Sequence, residues 1–185
     1  IRNAVVNDLL YDLPPLGHGE TYNQYYCRYK YVSDYLKVTK IRNKHDVLTL
    51  HTSRPNREQD IEIYRRAIIL WDAGNYRLHY DELPEFLRTH KNITAFIDRF
   101  KVVEGNMHCC HTVMAHLAKD GHYFIHPDIH QCRSISLREA ARLQSFPDNY
   151  YFEGSRTSIF TQIGNAVPPL MALGIAKKIM DELNN

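Results

Sequence analysis

The stretch RSISLREAARLQSFPDNY, Arg133 to Tyr150, holds a helix start, a charged face, a glutamine and a Phe-Pro-Asp stop in one short run. Ser136 and Glu139 stand in the S-x-x-E relation of a capping box, in which serine and glutamate each satisfy a backbone N–H that a helix start leaves free. Leu137, Ala140, Ala141 and Gln144 then share one face, Arg138 and Arg142 lie on the other, and Pro147 ends the helix. No obvious nucleophile stands beside this helix, so its chemistry has to be sought in what it joins.

Downstream lies GNAVPPLMALGIAKKIMDELNN, Gly164 to Asn185. A Gly-Asn turn, prolines suited to a first helical turn, and apolar residues at Ala172, Ile175, Ala176, Ile179 and Leu183 predict a terminal helix that must pack on something. Upstream, Ile61, Tyr64, Ile68 and Trp71 recur at helical spacing, with Asn56 as the expected cap, Gln59 three residues on and Gly74 as the stop. A shorter helix is expected over Leu83–Thr89, with Pro84 in its first turn. AFIDRFKVV (95–103) and GHYFIHP (121–127) are rich in aromatic and β-branched residues and are expected as short strands. The N-terminal part, with its prolines, glycines and tyrosines, reads as extended and loop-rich. There is no internal repeat and no low-complexity tract.

The length of 185 residues and 44% apolar content suffice for a packed core. No apolar run of about 18 residues stands out, and IRNAVVNDLL lacks the order of a secretory signal, so a cytoplasmic location without a membrane is expected, nucleoid-associated in a bacterium. Cys27, Cys109, Cys110 and Cys132 are few and irregularly spaced and are read as thiols. A net charge of +2 permits an acidic partner without demanding one. The first residue is Ile rather than Met, and the ends are read as cuts.

His108, Cys109, Cys110 and His111 spell HCCH, but structural zinc sites space their cysteines by two to four residues, and no metal is expected. None of the cysteines sits in a basic helix N-terminus that would activate it, so none is assigned catalysis. Between Tyr22 and Lys37, tyrosines alternate with Arg28, Lys30 and Lys37 in a pattern that suits nucleic-acid backbones, and equally suits rings packed on a neighbouring lobe. No P-loop, G-x-G-x-x-G, H-E-x-x-H or G-x-S-x-G occurs.

The order capping box, Phe-Pro-Asp, Gly-Asn-Ala-Val-Pro-Pro closely resembles the ninth and tenth conserved blocks of cytosine-5 DNA methyltransferases. DLPPLGHGE (12–20) resembles the entry to that family's recognition region, HTSRPN (51–56) a turn within it, and HTVMAHLAKDGHYFIHPD (111–128) its Thr-rich strand pair. The family's Gly-rich first block, Pro-Cys-Gln, Glu-Asn-Val and Q-x-R-x-R do not occur. The resemblance therefore implies an α+β fold: a small target-recognition lobe over 1–155, then 156–185, a strand or turn and a helix that return to a Rossmann-like catalytic lobe absent from the sequence.

In such enzymes the target cytosine is flipped out of the duplex, a cysteine thiolate adds to carbon 6, a carboxylate polarises N3, and carbon 5 takes the methyl group of S-adenosylmethionine. The resemblance implies that Asn165 and Val167 border the cofactor and that Thr112 and Arg133 bind DNA, Thr112 near the backbone and Arg133 at the opening of the ninth block, which braces the recognition domain. Cys109 and Cys110 replace the Pro-Ser that relatives tend to carry before the threonine. Glu139 is read as a cap rather than an acid. The expected partners are double-stranded DNA, the catalytic lobe or a large subunit, and a second copy through the terminal helix. A stand-alone DNA-binding module without catalysis is the rival reading, and a small protein-interaction domain a third.

Overall fold

The computed structural model describes residues 3–24, 32–43 and 45–184. Cys27, Arg28, Lys30 and most of the tyrosine-rich stretch lie outside the described residues. Five α-helices are described: α1 (Asp34–Val38), α2 (Glu58–Gly74), α3 (Leu137–Leu143), α4 (Arg156–Asn165) and α5 (Pro169–Leu183). Two short strands, β1 (Thr21–Gln24) and β2 (Leu48–Thr52), pair antiparallel with an irregularity between Tyr22 and Gln24. The rest of the chain between α2 and α3 runs in single 3₁₀ turns and loops.

Helix α3 forms as its sequence demands. The Ser136 hydroxyl accepts from the Glu139 N–H at 3.1 Å, while Glu139 Oε2 accepts from the Ser136 N–H at 2.6 Å. Helix α2 begins one step later than its pattern suggested. Arg57, not Asn56, occupies the cap position, because Asp60 reaches back to accept the Arg57 N–H at 3.2 Å, while Asn56 turns its amide toward the Tyr64 hydroxyl. Its other end is closed by Asn75 in the left-handed conformation, with the Asn75 and Tyr76 N–H groups returning to Trp71 and Leu70.

Three expectations are corrected. Leu83–Thr89 is not an α-helix but part of two 3₁₀ turns, Tyr80–Glu82 and Glu85–Leu87: Pro84 drives Leu83 to an extended ψ of 143° and so separates them. Residues 95–103 and 121–127 form no full strands and meet only through isolated bridges, Val102 with Ile125 and Ile125 with Ser134. Asp120 caps the His122 N–H and curls 121–123 into a 3₁₀ turn before any ladder extends. Between 156 and 168 there is no strand, because Ser155 caps Ser158 and starts α4.

Two apolar clusters organise the body. One gathers Val6, Leu10, Val103 and Phe124 with Ala140 and Ala141 of α3 and Ile159, Phe160 and Ile163 of α4. The other sets Tyr64, Ile68 and Trp71 of α2 against Tyr80, Leu83 and Phe100. Gly164 lets α4 lie directly on the chain at 114–115, since a Cβ there would fall 2.4 Å from the Ala115 nitrogen.

Helix α5 behaves differently: it has no buried residue, and Met171, Leu173, Ile175, Ile179 and Leu183 are all exposed. By length and composition alone, Arg156–Leu183 passes as apolar enough to cross a membrane, at a mean hydropathy of 1.3. The stretch is nevertheless two helices, interrupted where Ala166 turns extended before Pro168, and α4 has its apolar face in the core.

Candidate functional site

The arginines of α3 do not face solvent. Arg133, Arg138 and Arg142 are all fully buried. A buried guanidinium is tolerated only when its donors and charge are met, and each of these is surrounded by acceptors. Arg142 donates to both oxygens of Asp148, from Nε at 2.8 Å and from Nη2 at 2.6 Å, and also to Asp12 and to the Leu9 carbonyl. Arg42 bridges the same two aspartates, at 3.3 Å from Asp12 and 3.1 Å from Asp148. Arg138 donates to the Thr49 carbonyl at 3.0 Å and to the Pro147 carbonyl at 3.2 Å. Burial lowers its pKa to about 10, with Asp148 opposing the shift. The Phe-Pro-Asp stop is thereby locked to the N-terminal segment and to β2.

Arg133 is corrected from a DNA contact to an internal strut. Its guanidinium donates to Glu139 at 2.8 and 2.7 Å, to Gln131 Oε1 and to the Ser134 carbonyl, and none of it reaches the surface. Burial alone would raise the Glu139 pKa, yet Arg133 and His126 together hold it well below the usual carboxylate range. His126, itself buried, is lowered to about 4 by desolvation against the pull of Glu139. His51 donates from Nε2 to the Pro14 carbonyl and accepts the Ser136 hydroxyl at Nδ1, as suits the neutral ring that burial favours.

The two residues that follow α3 bond to other segments. Gln144 Nε2 donates to the Val113 carbonyl at 3.3 Å and to the Ile163 carbonyl at 3.1 Å. Ser145, at φ +61°, accepts the Leu170 N–H at 3.1 Å and so holds the first turn of α5. Three expected residues neighbour these segments in sequence. Thr112 precedes Val113, Asn165 ends α4, and Val167 follows in the extended connection; all three are exposed.

Beside Thr112, Glu104 fixes the chain. Its Oε2 accepts from the His111 backbone N–H and from His111 Nδ1, both at 2.8 Å, and its Oε1 accepts from Arg77 at 2.9 Å. Burial works against the carboxylate, but the His111 bonds prevail and hold its pKa at about 2. Of the HCCH residues, His108 donates to the Ala4 carbonyl while His111 turns to Glu104. Among the described residues, no group of three or more His, Cys, Asp or Glu is gathered as a metal would require. Burial pushes the Cys110 thiol up to about 12, which leaves it a poor nucleophile.

Sequence reasoning missed Asp12, Arg42 and Glu104, gave the aspartate of Phe-Pro-Asp no partner, and gave Gln144 a place on a helix face but no role. The available signal was the pairing of arginines four apart with the aspartate of Phe-Pro-Asp, since a helix ending in a buried Pro-Asp turn brings that carboxylate back to its own last turn.

Compared with known families, residues 3–181 match C-5 cytosine-specific DNA methylase. The chain belongs to that family. Among its relatives, this methylase chain is 48% identical over 181 residues to the type II methyltransferase M.Bpa9945I of Bacillus paralicheniformis, covering 96% of the chain and 40% of that protein. It is 30% identical over 199 residues to DNA (cytosine-5)-methyltransferase 3 of Arabidopsis thaliana, covering 99% of the chain and 13% of that protein. A solved structure of an E. coli protein described as a prophage-encoded DNA modification methyltransferase superposes with a TM-score of 0.52 at 24% identity, over 97% of this chain and 47% of that one, and shows a shared fold. This methylase chain thus spans less than half the length of each of these proteins.

Proposed function

We propose that this chain is the part of a DNA (cytosine-5-)-methyltransferase that reads DNA and completes the cofactor pocket, working in a restriction-modification system. The observation that carries the reading is the Gln144 clamp. One buried amide ties the Thr112–Val113 segment to the end of the helix that carries Asn165, so a DNA-facing edge and a cofactor-facing edge move as one body. Thr112 offers a hydroxyl to a backbone phosphate. Asn165 offers an unobstructed side-chain amide, and Val167 its backbone, to the methionyl end of S-adenosylmethionine; such groups suit one wall of that pocket. S-adenosylmethionine supplies the methyl group, and the attacking thiolate comes from a Pro-Cys-Gln that this sequence does not contain.

Residues 1–155 form the recognition lobe and 156–185 the return to the catalytic lobe in this reading. The exposed apolar stripe of α5 is the docking surface, for the catalytic lobe or, failing that, for a second copy. Location follows that of the DNA, in the cytoplasm. The recognition role is tested by titrating a labelled duplex with the purified chain at two salt concentrations. Weak binding that falls steeply with salt is the expected result, because phosphate contacts release counterions. Absence of binding, or binding indifferent to salt, overturns the role.

A further inference from the structure

A cavity of about 480 Å³ opens beside Thr112, lined by Lys101, His111, Met114, His116, Tyr123 and Phe124 in addition to the threonine. Its lining holds three basic side chains and no carboxylate. His111 Nδ1 faces a Glu104 oxygen at 2.8 Å and its Nε2 faces the Tyr123 carbonyl at 2.6 Å. Both ring nitrogens are therefore engaged, and the ring stacks 4.8 Å from Phe124. Glu104 is shared with Arg77 at 2.9 Å, which fixes His111 in the cavity wall. Lys101 adds a charge, its ammonium held 5.6 Å from the Tyr123 ring centroid. The His116 ring meets the same tyrosine edge-on, and its buried Nε2 has no hydrogen-bond partner among the described residues.

We propose that this cavity is an oxyanion subsite that takes one phosphodiester of the DNA backbone, with Lys101, His116 and Thr112 as its donors and the His111 ring fixed in the wall behind them. The inference rests on the proposed recognition role, and it adds three residues to the single threonine which that role named. Met114, Tyr123 and Phe124 add apolar surface beside these donors. Because His111 has both nitrogens engaged, it shapes the wall and offers the anion no hydrogen bond of its own.

The test uses the full chain in two arms. In the first, inorganic phosphate is titrated while the ring signals of the histidines are followed by NMR. Shifts at His116 and His111 that saturate, with His79 and His90 unmoved, support the subsite; no shift at either overturns it. In the second arm, Lys101→Met with His116→Gln is compared with wild type for duplex binding across salt concentrations. The account expects affinity to fall about tenfold and the salt slope to drop by about one. An unchanged slope in a variant that melts like wild type overturns the subsite even where wild type binds duplex. Phosphate binding in the first arm without any duplex binding by wild type overturns the assignment to DNA and leaves a site for a free oxyanion. Failure of the recognition role is therefore told apart from failure of the cavity.

Discussion

Arg142 and Asp148, six residues apart across the end of α3, face each other through two hydrogen bonds of 2.8 and 2.6 Å, and both side chains are fully buried. The pair is the centre of a lattice that also holds Asp12 and Arg42. Burial would lower the arginine's pKa and raise the aspartate's; their mutual attraction reverses both shifts. Removing one partner leaves a buried charge uncompensated, so Asp148→Asn is expected to destabilise the chain by about 3–5 kcal/mol. Urea unfolding measures it, and a loss below about 1 kcal/mol would show that the lattice relaxes around the change.

Buried carboxylates set the acid limit of stability. Glu139 and Asp148 have folded pKa values depressed below their unfolded ones, so their stabilisation is complete above the unfolded carboxylate range and is lost as pH falls below that range through the folded values. His126 adds to this in a higher window. Between its ordinary 6.5 and its folded value of about 4, the unfolded chain binds a proton that the folded chain does not, so stability falls as pH drops from 6.5 toward 4. Melting temperature should thus decline in two stages on acidification. In His126→Phe the upper stage should shrink, and an undiminished upper stage would assign it to another group.

Gly164 and Gly174 make a paired experiment. A Cβ at Gly164 meets the Ala115 nitrogen at 2.4 Å, whereas one at Gly174 meets nothing within 4 Å. Gly164→Ala should cost about 1–3 kcal/mol by forcing α4 off the 114–115 turn. Gly174→Ala should favour α5 by up to about 1 kcal/mol through helix propensity alone. Thermal melts and circular dichroism read both, and equal effects at the two sites would contradict the close helix approach.

Replacing Gln144 by Leu removes the donor for the Val113 and Ile163 carbonyls together. A cost of about 1–3 kcal/mol is expected. Faster hydrogen exchange should be confined to 112–115 and 163–166. Exchange that speeds up evenly across the chain would mean that Gln144 supports the core rather than the junction.

The capping box was readable because Ser136 and Glu139 act on each other across three residues, with nothing distant needed. So was the stripe of α2, whose Tyr64, Ile68 and Trp71 do enter the core. The fate of Arg138 and Arg142 was not readable: helical periodicity places charge away from the apolar face and takes that side for solvent, whereas here Asp12, 130 positions away, comes to meet Arg142. Arg133 is buried with its guanidinium on Glu139, Gln131 and the Ser134 carbonyl, partners close in sequence that its spacing alone did not identify. The 95–103 and 121–127 segments have strand composition, but a single side-chain cap from Asp120 outweighs propensity over so few residues. Asn165, Val167 and Thr112 came from resemblance rather than periodicity. Gln144 bonds the residues next to Thr112 and near Asn165, a link that periodicity does not show.

The exposed stripe of α5 should govern association. Ile175→Asp with Ile179→Asp is expected to abolish self-association in sedimentation and docking onto a supplied catalytic lobe, since each aliphatic side chain it would bury contributes roughly 1.5–3 kcal/mol. If the folded double variant associates like wild type, the joint lies elsewhere.

Methyl transfer itself tests the central claim most directly. Labelled S-adenosylmethionine and a cytosine-containing duplex are incubated with the purified chain alone, and again with a catalytic lobe that carries the Gly-rich and Pro-Cys-Gln segments. The account predicts no label in DNA from the chain alone and label on mixing. Transfer by the chain alone, or none from the folded mixture, would contradict it.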